Sequence, residues 1–103
     1  MSKTDSAVKE ILAPYRKEID AIDKELVALL VRRFQIVQEV AGIKGRHGIP
    51  SVLPDRVDEV RNNAADMAAA QGLDRKFVYD LYTQIIDYAC SFEDDLMDGK
   101  AQQ

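Results

Sequence analysis

The sequence predicts an all-α fold of three helices, one of them very long, and two observations carry the prediction. The first is a run of apolar positions, Val8, Leu12, Tyr15, Ile19, Ile22, Leu26, Leu29, Ile36, Val40 and Ile43, that follows alternating steps of four and three once position 33 is counted. That is the seam of a helix packed against other helices, not the alternation of a strand. The second is that Pro54 and Asp74 each open a further stretch whose apolar residues fall on one helical face. Position 33 is the exception in the long seam, because it holds Arg33. A guanidinium in an apolar seam is unfavourable unless an anion meets it there.

Residues 1–5 are expected to fray, and Ser6 is placed to cap a short turn or first helical segment carrying Val8, Ile11 and Leu12. Pro14 then either opens the main helix in its first turn or kinks a longer one. The main helix is expected over Pro14–Lys44, with Gly45 as its stop. At its full extent it reaches ~45 Å, well beyond the ~26 Å diameter of a compact globule of this size. Part of its seam stays in water unless a second chain covers it, so a homodimer with antiparallel long helices is the expected assembly.

Gly45–Leu53 reads as a flexible loop of the kind that closes over a site, because Gly45, Gly48 and Pro50 interrupt any helix. His47, within it, reads as a solvated side chain rather than a catalytic one. The second helix opens at Pro54 with Asp55 in its first turn, runs to about Gln71 and stops at Gly72. Its face is light (Val57, Val60, Ala64, Ala65, Ala68), which suits close helix approach. Asp74 caps the third helix, whose broad face carries Phe77, Val78, Leu81, Tyr82, Ile85, Ile86, Ala89 and Leu96. Glu93 lies on that same face, a second charge where a hydrophobe is expected. From Asp98 onward the chain reads as a polar tail.

Length and composition bound the rest. The 103 residues are expected to form one domain, 1–103, of ordinary soluble composition with 47% apolar and 31% charged residues. No run approaches the ~18 apolar residues of a membrane span. The polar N-terminus lacks a signal-peptide core, so a cytoplasmic setting is expected. The single Cys90 has no partner for an internal disulfide and reads as a small buried hydrophobe rather than a nucleophile. Net charge is −4, with no basic run, no RNA-binding signature and no zinc spacing, which argues against nucleic acid and a metal site. An anion would have to be met by a local gathering among the 14 Lys and Arg.

On an ideal helix Arg33 and Lys44 project within ~20° of each other with Cα atoms ~16 Å apart, and each side chain reaches ~6 Å toward the other. The gap suits a small dianion gripped at two points. Arg16 lies ~25 Å from Arg33 along the axis and ~100° round it, so within one chain it cannot join them. Antiparallel pairing could bring the partner's Arg16 into reach. Arg56, just inside the second helix, is a further candidate cation. Spacing alone leads to a dimeric helical bundle with an anion site, and leaves open that Glu93 pairs with a buried arginine.

The stretch Tyr15-Arg-Lys-Glu-Ile-Asp-Ala-Ile-Asp-Lys-Glu-Leu-Val-Ala-Leu-Leu-Val-Arg-Arg, continuing through Val40 to Lys44, resembles the opening helix of the AroQ-type (all-helical) chorismate mutases. Pro54-Asp-Arg, Gly72-Leu-Asp, Phe77 and Gln84-Ile-Ile continue the likeness, which covers about residues 8–96. The resemblance implies an intertwined homodimer with three helices per chain, two active sites built by both chains, and no cofactor. It implies that Arg33 and the partner's Arg16 bind substrate carboxylates. Lys44 would contact the ether oxygen and a carboxylate, and Arg56 would act at the start of the second helix. Leu53 and Val57 stand where typical members carry acidic or polar contacts to the substrate's hydroxyl. Glu93 stands where many bacterial members have Gln facing the ether oxygen, and Ala89 replaces a small hydroxyl residue. Pro54-x-Arg56-Val57 with Ile49-Pro50 upstream is also similar to the related isochorismate-pyruvate lyases.

The implied function is the rearrangement of chorismate to prephenate, an intramolecular reaction needing no nucleophile, metal or proton relay. The protein holds the compact conformer of a dicarboxylate substrate and stabilises charge growing on the ether oxygen. Arginines fork onto carboxylates, and Lys44 supplies a point charge. Glu93 assists only when protonated, since a carboxylate opposes an oxyanion. The same cations would serve a lyase expelling pyruvate from isochorismate. A catalytically silent dimer binding an aromatic dianion or a protein partner is the reading from another class.

Overall fold

The computed structural model describes residues 2–97, and every regular element among them is an α-helix: α1 (Ser2–His47), α2 (Pro54–Ala70) and α3 (Arg75–Met97). None of these helices is long and apolar enough to cross a membrane. The chain divides into two compact units, Met1–Gln35 and Ile36–Gln103.

The first unit is the N-terminal part of α1. The helix begins at Ser2, so the expected fraying of residues 2–5 and a start at Ser6 are corrected. Pro14 lies inside the helix rather than opening it. Its ring removes a single amide donor, and the turns on either side continue the ladder. Residues 5–32 are all exposed in the single chain. Along the seam the exposure runs from 36% at Leu12 to 62% at Tyr15, so an apolar stripe several turns long has nothing packed on it in the single chain.

The second unit holds the end of α1, a short loop, α2 and α3. α1 stops at His47 and not at Gly45, because Gly48 is the residue with a left-handed φ of 65°. The amide of Ile49 then reaches back to the Lys44 carbonyl at 2.9 Å, closing the helix end in a Schellman arrangement. The expected loop is thereby shortened to residues 48–53, and His47 becomes an exposed last helical residue.

α2 starts as its sequence requires. Leu53 is extended (φ −115°, ψ 98°), the conformation a following proline enforces, and Pro54 occupies the first turn. At its far end Gly72 takes φ 88°, while Gly72 and Leu73 donate to the carbonyls of Ala69 (3.1 Å) and Ala68 (2.9 Å). Asp74 caps α3 by accepting the Phe77 amide at 2.8 Å. The two helices pack together, with the small side chains of Ala64 and Ala65 buried on α2 and Val78, Ile86 and Ala89 buried on α3. Polar links stitch the rim. Arg75 donates to Asp66 (3.1 Å) and Asn62 (2.9 Å), and the Arg61 guanidinium lies 4.9 Å from the Tyr79 ring centroid. Phe77 and Leu81, expected on the apolar face of α3, are exposed in the single chain.

Candidate active site

Two of the predicted site residues meet directly. Lys44, in the last turn of α1, places its Nζ 2.8 Å from Oε1 of Glu93 on α3. Both side chains are largely withdrawn from water, at 14% and 6% exposure, so the pair is far less screened than a surface one. Glu93 sits on the buried face of α3 beside Ala89 and Ile86, the face its sequence position indicated. Among the ion pairs of the described residues its partner is this lysine and not an arginine. The contact is Coulombic rather than an aligned hydrogen bond, since Oε1 is buried with no donor directed at it.

A second contact fixes the same ammonium. Lys44 Nζ donates to the backbone carbonyl of Ser51 at 2.9 Å. Ser51 is itself buried, and its Oγ donates to Oδ1 of Asp94 on α3. The loop is therefore tied to α1 through its main chain and to α3 through its side chain. Cys90 Sγ approaches the Ser51 carbonyl at 3.8 Å. Burial, and then the neighbouring Glu93 carboxylate, push the Cys90 thiol above its usual range, with Lys44 opposing. A thiol in that environment is a poor nucleophile, in keeping with a packing role.

The remaining candidates, apart from Ala89, are more open. Leu53 is exposed, Val57 half-buried and Ala89 buried. Arg56 bonds Glu59 through Nη1 at 2.5 Å, with both side chains more than half exposed, so that pair is weak and readily exchanged. A cavity of about 340 Å³ is lined by Lys44, Gly45, Gly48, Ile49, Pro50 and Met97. It shares Lys44 but not Glu93, Val57 or Ala89. In the first unit, Arg16 is exposed and Arg33 half-buried, and no carboxylate among the described residues pairs with either.

Sequence reasoning missed Ser51 and Asp94. Ser51 lies in a loop whose glycines and proline drew attention to its breaks rather than its hydrogen bonds. Asp94 follows Glu93 in a Glu-Asp-Asp run that resembles a solvated helix face. No periodicity or motif marked either one.

Residues 15–94 match the model of the family described as chorismate mutase type II. The chain belongs to that family. A 4-amino-4-deoxychorismate mutase of Streptomyces venezuelae is 42% identical to it over 82 residues, covering 80% of each chain. A protein of the same description from Streptomyces pristinaespiralis is 33% identical over 90 residues, 87% of this chain and 70% of the relative. An isochorismate pyruvate lyase of Pseudomonas aeruginosa is 37% identical over 78 residues, 75% of each. The activity is of chorismate mutase type and the enzyme an isomerase. Its substrate is a small molecule of the chorismate type.

Proposed function

We propose that the chain works as a homodimeric mutase whose preferred substrate is 4-amino-4-deoxychorismate, with chorismate also accepted. The observation that carries this reading is the 42% identity, across 80% of both chains, with the Streptomyces venezuelae 4-amino-4-deoxychorismate mutase. Leu53 and Val57, assigned to the substituent at ring position 4, support it because neither side chain hydrogen-bonds a hydroxyl. A site built to bond a hydroxyl rejects the analogue lacking it by ~10⁴–10⁵-fold, whereas an apolar wall discriminates by only ~10². Such a wall admits either substituent.

In the reaction the bond from the ring to the ether oxygen breaks as the enolpyruvyl methylene forms a carbon–carbon bond to the ring. Electrons redistribute within one molecule, and no proton or leaving group departs. Arg33 and Arg16 of the partner subunit fork onto carboxylates and hold the folded conformer. Arg56, released from Glu59, adds a further contact. The Lys44 ammonium stabilises charge on the ether oxygen, and Glu93 faces the same atom with Ala89 beside it.

The uncovered stripe of α1 supports the dimer. Its apolar residues are between 36% and 62% exposed, and covering them with a second copy contributes ~25 cal/mol per Å² of apolar area. Antiparallel helices crossing near Lys24 and Glu25 would set Arg16 of one protomer opposite Arg33 of the other. The 103-residue chain then serves as one domain of that dimer.

The test is to incubate the purified protein separately with 4-amino-4-deoxychorismate, chorismate and isochorismate and to identify products by chromatography and mass. The amino substrate should be rearranged with the highest kcat/KM and chorismate within ~10² of it. Faster release of pyruvate and salicylate from isochorismate would replace the mutase reading with a lyase. No turnover of any of the three would leave a silent binding protein.

A further inference from the structure

We infer that Ser51 and Asp94 are positioning residues that act through Lys44, fixing where its ammonium is held relative to the substrate. The inference rests on the assignment of Lys44 to the ether oxygen made above.

An ammonium has three donors on a stem of four rotatable carbons, and it does not point anywhere unless its surroundings make it. Here one donor is committed and a carboxylate lies beside the group. Nζ lies 2.9 Å from the Ser51 carbonyl, to which it donates, and 2.8 Å from Glu93 Oε1. The hydrogen bond to the carbonyl anchors the ammonium, and the adjacent carboxylate draws it by charge toward α3, so the group is held in one place. The arrangement works only while the carbonyl stays in place, and Ser51 lies in a loop with no regular hydrogen-bond ladder of its own. What holds the carbonyl is the other end of the residue. Ser51 Oγ donates to Asp94 Oδ1 on α3, forty-three positions along the chain, and the residue is only 7% exposed. The chain of contacts runs from helix α3 through the Asp94 carboxylate, the Ser51 hydroxyl and the Ser51 carbonyl to the Lys44 ammonium.

Chemical economy favours a neutral carbonyl as the second partner. A second carboxylate on Nζ would cancel the positive charge needed at a developing oxyanion, whereas a carbonyl dipole directs the ammonium and leaves its charge intact. Asp94 supplies its charge one residue removed, where it fixes a hydroxyl instead of quenching the lysine. A displacement of about 1 Å in a catalytic group lowers rates by as much as ~10²-fold, so loosening the Ser51 carbonyl should be felt in turnover before it is felt in binding.

The experiment is a mutant cycle on the full chain with 4-amino-4-deoxychorismate and chorismate as substrates. Asp94→Leu keeps the side chain's outline and removes the acceptor, and should lower kcat about tenfold with KM little changed. Asp94→Asn, which keeps an oxygen acceptor, should restore most of the loss. Ser51→Ala tests the same link from its other end without touching α3, and should match Asp94→Leu. In a Lys44→Ala background, itself slowed by ~10²–10³, neither change should slow the enzyme further. Losses that multiply in that background would show Asp94 and Ser51 acting on the fold and not through Lys44, and would overturn the inference. Full kcat in both Asp94→Leu and Ser51→Ala would overturn it too. A Lys44→Ala enzyme as fast as wild type would instead remove the assignment of Lys44 on which the inference stands.

Discussion

Replacing Glu93 by Gln keeps the shape of the side chain while removing the charge that faces Lys44, so it should affect stability and rate in opposite directions. Taking one partner from a fully buried ion pair destabilises by ~3–5 kcal/mol, because the other charge is left uncompensated. Lys44 is not left so bare: its ammonium keeps the Ser51 carbonyl at 2.9 Å, and its side chain retains 14% exposure. The loss should therefore be smaller, ~1–3 kcal/mol, which for a chain of this length lowers Tm by roughly 5–20 °C. Turnover should move the other way. An amide N–H directed at the ether oxygen stabilises the charge that a carboxylate opposes, and Lys44 regains its full positive field. A single well-aimed donor at an oxyanion is worth ~10²–10³. Part of that is already supplied by Lys44, so a rise of about tenfold in kcat at neutral pH is expected. Thermal melts at matched protein concentration give the first quantity, and initial rates with saturating substrate give the second. Lower stability together with a slower rate at every pH would refute the reasoning, since Glu93 would then be a partner of Lys44 with no business at the ether oxygen.

Three further outcomes follow from the same geometry. If the uncovered stripe on α1 is a dimer seam, folding and association are one event, so light scattering should find a dimer at micromolar concentration and Tm should rise with concentration; a folded monomer there would exclude it. Arg16→Ala and Arg33→Ala should each be nearly inactive, yet mixing them under subunit exchange should regenerate up to one intact site in each heterodimer. Proven heterodimers without recovered activity would mean that the two arginines do not share a site. Cys90, whose thiol is pushed up chiefly by burial, should alkylate more slowly in the folded protein than in urea at neutral pH. Its contribution to stability is fully present below the unfolded thiol value of ~8.5 and is lost as pH rises through the higher folded one; equal folded and unfolded alkylation rates would contradict this.

The helices and their ends were legible because local chemistry specifies them. Pro54 at a first turn removes an amide that would lack a partner, Asp74 as a cap and Gly72 as a stop satisfy backbone groups within a few residues, and the observed arrangement is the expected one. The end of α1 was less so: Gly45 and Gly48 are both capable of stopping a helix, and only the backbone selects Gly48 as the left-handed residue. The start at Ser2, ahead of the expected cap at Ser6, was likewise beyond local signals.

Arg33 and Glu93 announced themselves as charges on apolar faces, an anomaly that periodicity exposes in a single chain. The family likeness added roles for Arg16, Lys44 and Arg56. What the sequence could not indicate is which groups meet across long separations. Lys44 and Glu93 lie on different helices, and Ser51 and Asp94 are ordinary polar residues whose spacing obeys no helical period. Their pairing depends on how the loop after Gly48 returns between α1 and α3, and that path is a property of tertiary packing. One-dimensional pattern determines which face of a helix is apolar and where the helix can end, because those choices are local. The partner that each buried polar atom finds is decided only when distant segments compete for the same few positions.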